Sequence, residues 1–408
     1  MTAVRAGGQR LSARRAVEAL RSGVPSRDAV AALGSGQGEI EDRVCGLLDG
    51  TGTVRDSARG ILLGGGFGAG KSHVLEHLAH LALERGFVVS RVVISKETPL
   101  HDPVKVLRAA VDAAVSPDGA VGAVTEAAAS LDPGSPAFTE LLRWAVGSGA
   151  VDERFALTLG LLPRVAASDE AFADAIVRFW SGDALGVAEL RRQARAAGEG
   201  RRSLSAVPVR ELALQRFRFP SRLFVAAGWQ GWLLLFDEVE LIGRYTLLQR
   251  ARSYADLANW LLPDLEDPAG PIATVAAMTD DFDAAVLTEK KDRTTIADRL
   301  RAKQSPQWDA VAARAETGMR MIERDMLLLR PPDAAELDDA YRRLKRLHSE
   351  AFDWQAPDVA GLERLGATRM RQYVRAWINE WDLVRLDPDF VPESQASELA
   401  SDYAEQPD

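Results

Sequence analysis

The chain has 408 residues, enough for two or three domains or for one large domain with insertions. A hydrophobic content of 47% supplies an ordinary globular core, while a formal net charge of −9 excludes polyanion binding by bulk electrostatics and leaves room for a local basic surface. The single cysteine, Cys45, excludes a disulfide framework and argues against a cysteine-based zinc site, and no run approaches the roughly 18 apolar residues of a membrane span, so a cytoplasmic location and no membrane partner are expected. The start, MTAVRAGGQRLSARR, has no apolar h-region, so no secretory signal is expected.

Residues 1–27 carry six arginines and one acid, a composition open to a nucleic-acid arm or to a solubilising start. SARRAVEALRSGVP spaces Ala16, Val17, Leu20 and Val24 for a helix, with Ser12 as its N-cap and Pro25 as its stop. Short helices are expected in RDAVAAL, after Ser26 and before Gly34, and in GEIEDRVCGLLDG, where Ile40, Val44, Leu47 and Leu48 share a face. These elements form an N-terminal helical segment, 1–50. The run GILLGG, 60–65, reads as a short buried parallel strand. A helix opens at Gly70–Ser72 with Leu75, Leu78, Ala79 and Ala82 inward and Gly86 beyond its end. FVVSRVVIS is the next strand, which makes a βαβ unit with a right-handed crossover.

Residues 104–228 read as a helical insertion. Its stretch 189–219 holds eight basic and three acidic side chains, Arg191, Arg192, Arg201 and Arg202 among them. That stretch is either a DNA-facing surface or a solvated helix face. GWLLLFDEVELI and PIATVAAMTDDF are two further apolar strands ending in polar residues. Residues 283–330 read as helical and charged, closing an α/β nucleotide-binding domain over 51–330. Asp333, after Pro331–Pro332, caps the first helix of an all-α lid over 331–386, and ATRMRQYVRAWINEWDLVRL supplies its last. The segment 387–408, with seven acids and no basic residue, reads as a disordered tail.

Gly65-Gly66-Phe67-Gly68-Ala69-Gly70-Lys71-Ser72 fits G-x-x-x-x-G-K-[ST] and sits between a strand and a helix, followed by His73. Glycines let the backbone N–H groups turn inward toward phosphates, and the helix start adds its positive dipole end. Lys71 would reach the β- and γ-phosphates of ATP, and Ser72 would offer its hydroxyl to Mg²⁺. LLLFDEVE then brings Asp237 to hold Mg²⁺ through its water shell and Glu238 to orient the attacking water. If the MTDD strand lies between these two strands, Thr279 or Asp280 falls near the γ-phosphate as a sensor; the alternative is a capping pair. Arg299 and Arg301 of TIADRLRAK are candidates for a finger reaching a neighbouring subunit's site, with Arg293 and Arg320 behind them, or else a solvated face. In the lid, Arg371 faces the nucleotide if Tyr373, Val374, Trp377 and Ile378 form the buried stripe; Arg369 is the other choice.

The order of phosphate loop, LLLFDE, MTDD, DRLR and a helical lid with RMRQYVRAW resembles AAA+ ATPases of the origin-recognition initiator branch. RRAVEALRSGVPSRDAVAALGSGQGEIEDR, GGGFGAGKSHVLEHLAHLAL, VVISKETPLHDPVKVLRAA and TGMRMIERDMLLLRPP resemble the BREX-system ATP-binding proteins of the BrxC/BrxD group, and the length suits the shorter BrxD-type members. The resemblance implies a P-loop AAA+ module, a role in bacteriophage defence, action on DNA, and work beside a helicase or another defence-system protein. It also implies that SGVPSRDAVAALGSGQ packs near the adenine. Initiators usually carry a winged-helix domain after the lid, and only the acidic segment follows here. Direct DNA contact is therefore expected from the nucleotide-binding module, from 189–219 or from the N-terminal arginines.

Two functions follow. One is a homo-oligomeric ATPase that binds DNA and loads or activates a helicase. The other is a nucleotide-dependent switch or scaffold with little turnover. A small-molecule kinase using the same loop fits the insertion and lid less well.

Overall fold

A computed structural model describes residues 2–23, 26–52, 58–199, 204–359, 370–387 and 389–390, with side chains of 2–9 and Ala31 left aside. Val24, Pro25, Arg201, Arg202, Arg369 and nearly all of the acidic segment lie outside the described residues.

Five parallel strands form one sheet in the order β2-β3-β4-β1-β5. They are β1 (Gly60–Gly64), β2 (Phe87–Val93), β3 (Gly231–Asp237), β4 (Ile272–Met278) and β5 (Leu327–Leu328). The apolar runs of β3 and β4 are explained by burial on both faces. Leu233, Leu235, Ala273, Val275 and Ala277 point into one core; Trp232, Leu234, Phe236, Ile272, Ala276 and Met278 point into the other. β5 falls in a stretch read as helical. Two residues are too short for a periodic signal, and the strand exists because Leu63 and Gly64 of β1 pair with it.

The first face is covered by α3 (Gly38–Gly50) and α4 (Lys71–Glu84). The second carries the helical region that was expected as an insertion: α5 (Pro103–Asp112), α6 (Ala123–Ala129), α7 (Pro136–Gly147), α8 (Glu153–Val165), α9 (Glu170–Ser181), α10 (Val187–Ala196) and α11 (Val209–Ala226). After β3 come a 3-10 turn, Val239–Arg244, and α12 (Leu247–Leu261). After β4 come a π-helical turn, Asp283–Thr288, then α13 (Asp292–Arg301) and α14 (Pro306–Arg324). Arg250 and Asp292 form a fully buried pair at 2.6 and 2.8 Å, completed by the Tyr254 hydroxyl at 2.8 Å. Its satisfied donors and acceptors fix α12 against the start of α13.

The N-terminal helices do not stand by themselves. α1 (Thr2–Ser22) and α2 (Arg27–Leu33) share a core with α15 (Ala334–Phe352) and α16 (Met370–Leu386). Val17 and Leu20 meet Leu344, Trp377 and Trp381 there. Ser12 is not the N-cap. The helix begins ten residues earlier in the chain, at Thr2, and the Ser12 hydroxyl donates to Asp28 at 2.6 Å. Ser26 does cap α2, and Asp333 with Glu336 forms a capping box on α15. No helix among the described residues is long and apolar enough to cross a membrane.

Candidate nucleotide site

β1 delivers the phosphate loop at its C-terminal edge, and α4 starts as expected at Lys71. Gly70 holds φ +101° just before it, a conformation that costs any residue with a Cβ. The Lys71 ammonium is buried and donates to the loop carbonyl of Gly65 at 2.7 Å, with Gly66 at 3.4 Å. It is therefore aimed across the loop's own concavity. His73, in the first turn of α4, meets the Gly34 carbonyl at 2.7 Å, and burial holds its pKa below the usual imidazole value. This contact lays the Gly34–Gln37 segment against the start of α4. Gln37 also pairs with the backbone of Arg330, accepting from its N–H and donating to its carbonyl, both at 3.0 Å.

β4 lies between β1 and β3, the arrangement on which the sensor expectation depended. Gly65 N–H donates to Met278 O at 3.2 Å, so the phosphate loop begins against the end of β4 and next to buried Thr279. Asp280 follows on the exposed side. Asp237 ends β3 and is buried. Glu238 sits at φ +56°, ψ +34°, a left-handed turn that carries its carboxyl out of the strand line toward solvent. Partial burial and the neighbouring Asp237 charge raise its pKa, opposed by Lys71, Arg91 and Arg244. Burial likewise raises the pKa of Glu240, opposed by Lys71. Both acids thus feel the loop lysine.

Sequence reading missed Arg91. Its guanidinium reaches from β2 to Asp237 Oδ2 at 2.6 Å, and to Glu76 of α4 at 3.3 Å. Asp237 Oδ1 accepts the Glu238 N–H at 3.0 Å. The one available signal was a lone arginine inside the apolar run FVVSRVV. The donor set fits Mg²⁺: a hydroxyl on Ser72 and a carboxylate on Asp237 that retains unused lone pairs, with phosphates and water to fill the rest. No group of three or more His, Cys, Asp or Glu among the described residues competes as a metal cage.

Residues 9–126 match the family described as BREX system ATP-binding protein BrxC/D. No curated protein and no solved structure matches the chain. The BrxC/D stretch begins inside α1, contains α2 to α5, the phosphate loop and β2 with Arg91, and ends inside α6 before Asp237 and Glu238. It also contains the SKETPLH loop after β2. With Arg244, Tyr245 and Gln249 from the far side of Glu238, that loop lines a cavity of about 530 Å³. Tyr245 OH donates to Ser95 O at 2.8 Å, and burial pulls the His101 pKa down to about 4, so this ring is neutral near pH 7.

The candidate arginines either hold partners of their own or are exposed. Arg371 donates to the Gly23 carbonyl at 2.9 Å, at the end of α1, although Tyr373, Val374, Trp377 and Ile378 form the buried stripe as expected. Helical spacing gave the stripe but not the direction of the long side chain. Arg301 pairs with Glu316 at 2.8 Å and Arg293 with Asp283 and Glu323 at 2.6 and 2.5 Å. Arg299 and Arg320 are exposed. In the basic stretch, Arg216 and Arg218 are buried rather than presented to a polyanion. Arg218 binds Asp264 at 2.9 and 3.1 Å, and Arg216 donates to the carbonyls of Gly182 and Asp183. Arg192 pairs with Glu189, and Arg191 donates to Leu204 O at 3.4 Å.

Proposed function

We propose that this chain is an AAA+ ATPase that binds and hydrolyses ATP with Mg²⁺ to drive oligomer assembly and DNA handling in bacteriophage defence, loading or activating a helicase partner. The observation that carries the reading is the strand order. With β4 between β1 and β3, Lys71, Thr279, Asp237 and Glu238 all lie at one edge of the sheet, where ligands of open α/β sheets bind. Lys71 would exchange the Gly65 and Gly66 carbonyls for phosphate oxygens. Ser72 and Asp237 would hold Mg²⁺, whose charge would draw the phosphates together. Glu238, deprotonated and turned outward, would orient water. Arg299 or Arg301 would complete a neighbour's site, with α15 and α16 acting as lid.

A second reading is a nucleotide-dependent switch with little turnover. It is favoured by the way the chain fills its own site: Lys71 lies on loop carbonyls and Asp237 on Arg91. Phosphate release measured against protein concentration, without DNA and with single-stranded, duplex and forked DNA, separates the two. Turnover per subunit should rise with both concentration and DNA. Turnover flat in both would overturn the motor reading and leave the switch.

A further inference from the structure

Most arginines of the helical region are matched to acids. Arg210 Nη2 lies 2.6 and 2.7 Å from the two oxygens of Asp256, and Arg222 lies 2.9 and 2.5 Å from those of Asp267. One patch breaks the pattern. Between α11, α12 and α14 is a cavity of about 400 Å³ walled by Arg210, Arg252, Trp308 and Arg314. Arg252, Arg314 and the adjacent Lys303 have no ion-pair partner among the described residues. Instead Arg252 and Lys303 lean on the Trp308 indole, 5.3 and 3.7 Å from its centroid. The acids of the patch are Asp256, taken by Arg210, and Asp309 beside Trp308 on α14.

In a chain of net charge −9, unmatched cations gathered at one cavity mark a local anion-attracting surface. An indole set among guanidinium and ammonium groups is the composition that takes a nucleic-acid strand: phosphates go to the cations and a base to the ring or the guanidinium plane. The cavity volume suits one nucleotide unit. A duplex cannot offer such a base, because its bases are already stacked and paired. We infer that this cavity is a binding site for single-stranded DNA, with phosphate at Arg252, Lys303 and Arg314 and one base against Trp308. The inference rests on the DNA-handling reading and adds to it a location and a strand form. α12, which carries Arg252, follows directly on the turn that begins at Glu238. Arg210, on the cavity wall, also donates to His101 O at 2.8 Å and so ties the site to the loop after β2.

The test is fluorescence anisotropy of a labelled thymidine oligonucleotide, and of a duplex of equal length, titrated with the full chain. Trp308→Ala should weaken single-strand binding about tenfold, and Trp308→Phe should recover most of it. The Arg252→Gln/Arg314→Gln double variant should lower the salt slope of binding by about 1.4, at roughly 0.7 per lost phosphate contact. ATP binding without DNA should persist in each variant. Because Trp308 also packs on the core, a Trp308→Ala protein that loses ATP binding is set aside, and the double variant, altered only at the cavity wall, decides. Parent-like DNA binding by the double variant, or a parent that prefers the duplex, overturns the inference and leaves DNA handling to another surface. A parent that binds neither form overturns the DNA-handling reading as well.

Discussion

Replacing Arg91 by alanine should lower the stability of the empty protein and enlarge the effect of Mg²⁺ with ATP. The side chain of Asp237 is 4% exposed and that of Arg91 27%, with 2.6 Å between them. Removing one partner of a fully buried pair costs about 3–5 kcal/mol, because the other charge is left uncompensated. Arg91 is partly screened by solvent, so about 2 kcal/mol is expected here. For a protein of this size that is a fall in Tm of about 2 °C. A divalent cation beside Asp237 replaces the missing positive charge. The shift on adding Mg²⁺ and ATP should therefore exceed the parent's by about the same 2 °C, on top of the ordinary mass-action stabilisation. The assay is thermal denaturation of parent and Arg91→Ala, empty, with ATP and EDTA, and with ATP and Mg²⁺. The excess shift should vanish with EDTA. An unchanged Tm for the empty variant, or the same ligand shift in both proteins, would refute the view that Arg91 and the metal share Asp237.

Other outcomes follow from single residues. The raised pKa of Glu238 means that ATP turnover of the parent should fall on the acid side at a pH above the usual carboxylate range, read from its pH–rate profile. The stability sign is the reverse. A carboxyl with a raised folded pKa favours the fold below its unfolded pKa and loses that contribution as pH rises through the folded value, so Glu238→Gln should gain Tm at pH 7 relative to pH 4. Gly318→Ala should cost at least about 3 kcal/mol by denaturant titration, since the new Cβ would lie 2.0 Å from Tyr254 O where α14 crosses α12. Gly70→Ala meets nothing within 4 Å but must hold φ +101°, so it should lose about 1–2 kcal/mol and weaken ATP binding without unfolding the chain.

The sheet and its site edge were legible because buried parallel strands are continuous apolar runs, and because the phosphate loop, Asp237 and Glu238 each follow one directly. The caps at Ser26 and Asp333 were legible for a local reason, a side chain meeting a nearby N–H. What failed was non-local. Arg210 and Arg218 read as surface charge because their partners, Asp256 and Asp264, lie 46 residues on. Arg91 belongs to no motif, and its role comes from β2 pairing with β3. The union of α1 and α2 with α15 and α16 joins the two ends of the described chain, which no window of sequence spans. The left-handed Glu238 gave no sign, since glutamate rarely adopts that conformation.

The decisive measurement is direct titration of ATP with Mg²⁺ into the parent, Lys71→Ala and Glu238→Gln, with phosphate release followed in the same samples. The parent should bind and release phosphate. Glu238→Gln should bind at least as tightly and release almost none. Lys71→Ala should lose affinity by about tenfold or more, the loss of a charge-assisted contact. Phosphate release by Glu238→Gln at the parent's rate, or ATP binding by Lys71→Ala at the parent's affinity, would contradict the assignment of these residues to one ATP site.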